Sequence, residues 1–230
     1  MPTLHSLNVA IPQTIPAGDP PFDREWSSGI FKKPVTGKLW LRAPPTSATA
    51  ALTGDLQEDP EFHGGPDKAI NCYSFDYYPF WKAELELEDF PVGAFGENFT
   101  TAELADEDVC VGDRYEIGEA LVEVSQPRSP CWKLSWRWRI AELERLLLIA
   151  NKTGWYFRVI REGFIEQGQE LKLVERKYPN FSITQVNTIR YRELRNLKAA
   201  KELADCEELS ETWRRTFHHR LASSDFRTSY

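Results

Sequence analysis

Apolar and polar residues alternate through ALVEVSQ, which places Ala120, Val122 and Val124 on one face and Leu121 and Glu123 on the other, the signature of a strand. GIFKKPVTGKLWLRAPP predicts a strand, a turn at Thr36-Gly37 and a second strand from Lys38 to Arg42. DVCVGDRYEIGEALVEVSQ predicts a pair of short strands around Gly112-Asp113 and Gly118. GWYFRVIREGFIEQGQELKLVER predicts further strands with glycine turns at Gly163 and Gly168. A short apolar run, Leu4 to Ile11, precedes a loop holding Pro12, Pro16, Pro20 and Pro21. Helical patterns interrupt at Tyr77 to Leu87, where Pro79 must start or kink the helix, and at Ile140 to Ala150. Many short strands punctuated by glycine, with few helices, favour a mainly β fold, a β-barrel, over a parallel α/β sheet.

The pattern changes at Tyr178-Pro179. Ser182 with Gln185 forms a capping box that opens a helix from about Ile183, and Leu194 to Asp205 is a second helical run. Ser210 caps a third, ETWRRTFHHRL, with Trp213, Phe217 and Leu221 on one face and the residues from Ala222 expected to fray. The expected organisation is a barrel domain over residues 1–178 and a three-helix extension over 179–230. About forty helical residues are too few for much stability unless they pack on the barrel.

Composition adds exclusions. A net charge of −7 argues against nucleic-acid polymers and anionic membranes as partners, while leaving room for a local basic pocket. The four cysteines, Cys72, Cys110, Cys131 and Cys206, are far apart and form no C-x-x-C pair, which removes the usual zinc and iron–sulfur spacings. The opening MPTLHSLNVAIPQTIP lacks a basic region and a long apolar run, so a cytoplasmic chain with reduced thiols is expected. Oligomeric state is left open, a homodimer included.

Chemistry concentrates in SQPRSPCWKL. Pro127 and Pro130 hold Arg128 and Cys131 on a stiff, non-helical segment at a strand end, a usual place for function. A thiol is a soft ligand or nucleophile, and the Arg128 fork suits phosphate or carboxylate. The plainer alternative is a buried cysteine behind a proline-rich turn. Trp132, Trp136 and Trp138 suggest an aromatic wall beside it, or simply packing. His63-Gly64-Gly65 couples a neutral-pH proton donor to glycines that let backbone N–H groups approach a ligand, with Lys68 able to hold an anion. It reads equally as a glycine turn with a solvated histidine. Gly96-Glu97-Asn98-Phe99-Thr100 offers an amide and a hydroxyl, or an Asx-capped turn. Lys32 and Lys33, like His218 and His219, are ordinarily solvated charges. No G-x-G-x-x-G, P-loop, G-x-S-x-G or H-E-x-x-H is present, so any electrons for redox chemistry come from elsewhere.

Taken in order, IFKKPVTG, GDLQEDPEFHGGPDKA, FGENFTT, VGDRYEIG, SQPRSPC and TGWYFRVIREG resemble the MOSC family (molybdenum cofactor sulfurase C-terminal domains), in its YiiM-type branch with a three-helix extension. The resemblance covers about residues 4–221. It implies a β-barrel that binds a molybdenum–pyranopterin cofactor with Cys131 as metal ligand. Arg128, Lys32 and Lys68 would meet the cofactor phosphate. Asn98, Thr100 and the backbone of Gly64 and Gly65 would read pterin or substrate, and Tyr156 and Arg158 would line the pocket. His63 would supply a proton as an N–O bond breaks. Pro79 and the long loop from Pro44 to Leu52 depart from type without touching these motifs.

Three functions follow. The leading one is a molybdenum oxidoreductase that reduces N-hydroxylated compounds, such as base analogues, with electrons from a separate reductase. The second is a non-catalytic carrier of the cofactor, or of sulfur as a Cys131 persulfide. The third is a cofactor-free nucleophile pairing Cys131 with His63.

Overall fold

A computed structural model describes residues 1–46 and 49–225; Ser47, Ala48 and the last five residues lie outside it. An eight-stranded sheet dominates, built from β1 (Thr3–Val9), β4 (Lys33–Val35), β6 (Ile70–Ser74), β7 (Phe99–Ala102), β8 (Arg114–Ile117), β9 (Ala120–Pro127), β10 (Trp155–Arg161) and β12 (Lys172–Glu175). Its order is β12-β8-β9-β10-β6-β7-β1-β4, antiparallel except where β6 lies parallel to β7. The sheet curls until its ends meet. Leu4 N donates to Gln169 O at 2.8 Å and Gly168 N to Leu4 O at 2.7 Å, joining β1 to the chain entering β12. The alternating residues then have an inside to fill, and Leu4, Leu7, Ile70, Phe99, Val122, Val124, Trp155 and Phe157 are buried there.

Two small sheets flank this barrel, β2 (Gln13–Ile15) with β3 (Trp26–Ser28) and β5 (Leu39–Leu41) with β11 (Gly163–Ile165). The first lies in the proline-rich segment read as loop. Gly163 opens β11 rather than making a turn, whereas Gly168, at φ +85°, does turn.

A second core, outside the barrel wall, is aromatic: Tyr73, Tyr77, Tyr78, Trp81, Phe90 and Phe95 with Leu134, Leu143 and Leu147. It is covered by α2 (Tyr78–Glu84), α3 (Lys133–Trp138) and α4 (Leu143–Ala150). Pro79 lies in the first turn of α2, where a missing N–H costs nothing, so it starts the helix. The helix expected from Ile140 begins only at Leu143. Left-handed Arg139 and Glu142 break the chain, leaving α3 as a separate, unexpected element.

The C-terminal helices are α5 (Ile183–Tyr191), α6 (Leu197–Ala204) and α7 (Glu211–Asp225), the last continuing past the expected fraying point at Ala222. Ser182 and Asn196 cap α5 and α6 through side-chain oxygens, on Gln185 N and Ala199 N. Their core of Val186, Ile189, Leu203, Trp213 and Phe217 packs on Val111, and Ser210 N donates to Ser125 O in β9. Among the described residues no helix is long and apolar enough to cross a membrane.

Candidate functional site

The strand β9 delivers Arg128. Its N–H donates to Gly154 O at 2.9 Å, just before β10, so the pairing of the two strands continues past Pro127. Cys131 follows three residues later, half-buried, and its carbonyl accepts from Leu134 N at 3.1 Å as α3 begins. Proline on either side of this corner and a helix beyond it leave the thiol little freedom.

Two compartments meet at Cys131. The inner one, about 80 Å³, is walled by Lys32, Asn71, Gly96, Asn98 and Arg128. The outer one, about 790 Å³, is walled by Trp26, Gln126, Trp132, Arg190 and Trp213. His63, Lys68, Ser129, Cys131, Lys133 and Tyr156 line both. Only the outer compartment matches the several hundred cubic ångströms that an organic ligand needs.

The inner wall is held by a polar network. Lys32, largely buried, forms an ion pair with Asp55, whose other oxygen accepts from Asn98 Nδ2 at 2.9 Å. Asn98 Oδ1 accepts from Asn71 N at 3.3 Å, and Asn71 Nδ2 donates to Gly96 O at 3.0 Å. Gly96 sits at φ +73°, and a Cβ there would lie 2.6 Å from Ile30, so only glycine lets this loop close on the wall. Two polar atoms of this wall, Arg128 Nη1 and Asn71 Oδ1, are buried without partners among the described residues. Buried unpaired atoms of this kind are places for a water or a bound group.

Charge in the site is mainly positive. Burial pushes the His63 imidazole down to about 4, and Lys133, Arg128 and Lys68 push the same way against Asp59. Burial likewise lowers Lys68, against Asp67, and Lys32, against Asp55, and it raises the Tyr156 phenol. His63 is therefore neutral at pH 7 in the bare site, and the inner lining carries Lys32, Lys68, Arg128 and Lys133 against Glu58 and Asp59.

Of the residues expected from the sequence, the structure gathers Cys131, His63, Arg128, Lys32, Lys68, Asn98 and Tyr156 around these compartments. It does not bring Gly64, Gly65, Thr100 or Arg158 there. Gly64 N closes α1 (Pro60–His63) by donating to Pro60 O at 2.8 Å, and Gly65, at φ +96°, makes the turn that follows. Thr100 Oγ1 donates to the buried Glu97 at 2.9 Å and accepts from Asn8 Nδ2 at 3.0 Å. Arg158 shares the outer face of β10 with Tyr156, but it lies directly across from Glu123 of β9. Its guanidinium instead bridges Asp67 at 2.7 Å and the buried Glu123 at 2.9 Å. Lys32 reaches the wall with its charge already matched by Asp55. Lys68 Nζ spends one donor on Phe62 O at 2.7 Å.

Asn71, Lys133, Gln126 and Arg190 were not singled out from the sequence. Lys133 had a signal, being two residues past Cys131. The others reach the site only by folding. Of the three tryptophans, Trp132 lines the outer compartment with Arg24 stacked 4.9 Å over it, whereas Trp136 and Trp138 pack on the aromatic core.

Residues 59–172 match the MOSC domain and residues 182–224 the YiiM-like, 3-alpha helix domain. An uncharacterized protein, YflK, of Bacillus subtilis is 37% identical over 92% of this chain and 91% of its own. A protein named reductase from Gibberella moniliformis is 37% identical over 82% of this chain but only 32% of its own length. The crystal structure of YiiM from Geobacillus stearothermophilus superposes with a TM-score of 0.78 at 37% identity, covering 96% of this chain and all of that one. With the domain, the helical extension and the fold all matched, the chain belongs to the MOSC family, in its YiiM-like branch.

Proposed function

We propose that this chain is a molybdenum-cofactor oxidoreductase of the cytosol that reduces N-hydroxylated compounds, base analogues among them, with electrons from a separate reductase. Residues 1–178 would hold the cofactor and residues 179–230 would complete the site. The observation that carries this reading is the placement of Cys131, a half-buried thiol at the junction of a small cationic compartment and a large aromatic one. No group of three or more His, Cys, Asp or Glu side chains among the described residues can hold a bare metal ion, so a metal at Cys131 would arrive with further ligands of its own. The orphaned Arg128 Nη1 supports a phosphate at the inner compartment, while the ring system of a pyranopterin would need the volume of the outer one.

When bound, that cofactor supplies a centre able to take oxygen from N–OH and to be reloaded with two electrons. The residues do the rest. Cys131 anchors the metal as a thiolate. Arg128 and Lys68 pair with phosphate, and Lys32 stays matched to Asp55 while holding the wall in place. The net change is R–NHOH plus two electrons and two protons to R–NH2 plus water. His63 is the candidate proton donor, because an anion beside it would raise its affinity for a proton above that of the bare site. The relative named reductase supports the direction of the reaction.

The test is molybdenum content per chain, from a host that makes the pyranopterin, beside Cys131→Ala. Stoichiometric metal lost in the variant is expected, followed by turnover of an N-hydroxylated purine with an artificial electron donor. Neither metal nor pterin in the wild-type chain sinks the reading. Tight cofactor binding without turnover would favour the carrier.

A further inference from the structure

The outer compartment has a wall that the cysteine corner does not make. Arg190 near the end of α5 and Trp213 on α7 both come from the C-terminal helices. The Arg190 guanidinium lies 4.0 Å from the Trp213 ring centroid, a stacked cation on a buried indole. Its backbone is fixed as well, since Arg220 donates to Ile189 O at 2.8 Å and to Arg190 O at 2.7 Å. Yet no carboxylate pairs with Arg190 among the described residues, and its Nη1 is buried without a partner. Burial pushes its pKa down, so the charge is held at a cost.

Gln126, at the end of β9, lines the same compartment. It is only 2% exposed, its Nε2 donates to Pro127 O at 3.3 Å, and its Oε1 has no partner. The compartment is thus lined by an amide whose oxygen has no partner, a guanidinium with no carboxylate, and Trp132 with Arg24 stacked over it. Its lining carries Arg24, Lys68, Lys133 and Arg190 against Glu25 and Asp59. Arg128 lines only the inner compartment and Arg190 only the outer one, so a group held by Arg190 is not the group that Arg128 faces.

We propose that Arg190 is a specificity residue that holds an acidic group on the substrate, with Gln126 accepting an N–H from the substrate ring. The chain would then take N-hydroxylated heterocycles bearing a phosphate or carboxylate in preference to the bare ring. The N–OH end of this assignment rests on the reductase reading; the anionic end does not.

The experiment is calorimetric titration of the full chain with two unreactive pairs, adenosine 5′-monophosphate against adenosine and orotate against uracil. The first pair tests phosphate, the second carboxylate. Wild type is expected to bind the anionic member of at least one pair at least tenfold more tightly, as a charge-assisted hydrogen bond to a buried guanidinium requires. Arg190→Gln should bring the pair within twofold and keep its molybdenum, Arg190→Lys should keep part of the preference, and Lys82→Gln, exposed on α2 and outside both compartments, should leave it unchanged. No preference in either pair, or a preference that survives Arg190→Gln, overturns the proposal. So does loss of molybdenum in Arg190→Gln, which would assign the guanidinium to the cofactor. Should Arg190→Gln not fold, the Arg190 Nε–H signal in wild type, assigned with Arg190→Lys, must move with the anionic ligand and not with its neutral partner. A wild-type chain without molybdenum would end the reductase reading while the paired affinities still decide Arg190.

Discussion

Removing the charge of Asp55 tests whether the wall of the inner compartment stands as described. Asp55 is 4% exposed and accepts from Ala10 N at 2.9 Å, from Asn98 Nδ2 at 2.9 Å and from Lys32, itself 8% exposed. In Asp55→Asn the amide keeps the shape but leaves the Lys32 ammonium buried and unpaired, with Arg128, Lys68 and Lys133 lining the same compartment. Breaking one side of a buried pair costs about 3–5 kcal/mol. Lysine can escape part of that by losing its proton, so about 3 kcal/mol at pH 7 is expected. For a chain of this length that is a fall of about 6–12 °C in Tm. Lys32→Met alone strands the Asp55 carboxylate and should cost at least about 1 kcal/mol. Lys32→Met with Asp55→Asn removes both charges and should lie within about 1–2 kcal/mol of wild type, which gives a coupling of at least about 2 kcal/mol in a double-mutant cycle. Urea unfolding at several pH values is the assay. Burial already lowers the Lys32 pKa, and loss of Asp55 removes the largest opposing pull. Between that lowered value and 10.5 the unfolded chain holds a proton the folded chain has shed, so stability of the variant rises with pH and its deficit narrows. A deficit under about 1 kcal/mol, or one that widens with rising pH, refutes the reasoning.

The His63 imidazole should titrate near 4 by NMR in cofactor-free protein and move upward when inorganic phosphate binds; a value near 6.5 without phosphate would mean that neither burial nor the cationic field acts on it. Because its folded pKa lies below its unfolded one, His63 should cost stability as pH falls from 6.5 towards 4, and His63→Gln should flatten that slope in urea unfolding. Gly154→Ala places a Cβ 2.3 Å from Cys72 O at φ +76°, against backbone that cannot swing aside. A loss of at least about 2–3 kcal/mol is expected, with weaker phosphate binding because Gly154 O holds Arg128 N; a variant as stable as wild type would contradict the geometry. Glu123→Gln removes the buried carboxylate shared by Arg114 and Arg158, at 2.7 and 2.9 Å, and should lower Tm without changing metal content. A loss of metal would bring Arg158 back into the site.

Much of this protein could be read along the chain because the information is local. Alternation marks β8 and β9 whatever they pair with, and Ser182 caps α5 by a bond to Gln185 three residues away. The order of six short motifs is likewise a property of the chain alone, and it was enough to identify the family and single out the cysteine corner. What needed the fold is what depends on distance. Arg158 shares a strand face with Tyr156, yet the fold sets it opposite Glu123 and beside Asp67, and no alternation rule contains those partners. Lys32 reads as a solvated charge until the fold sets it on Asp55, twenty-three residues on. Arg190 and Gln126 lie sixty-four residues apart, on a helix and a strand with unrelated patterns. Only the packing of the C-terminal helices on the barrel brings both to one compartment, because burial and pairing are properties of neighbours in space.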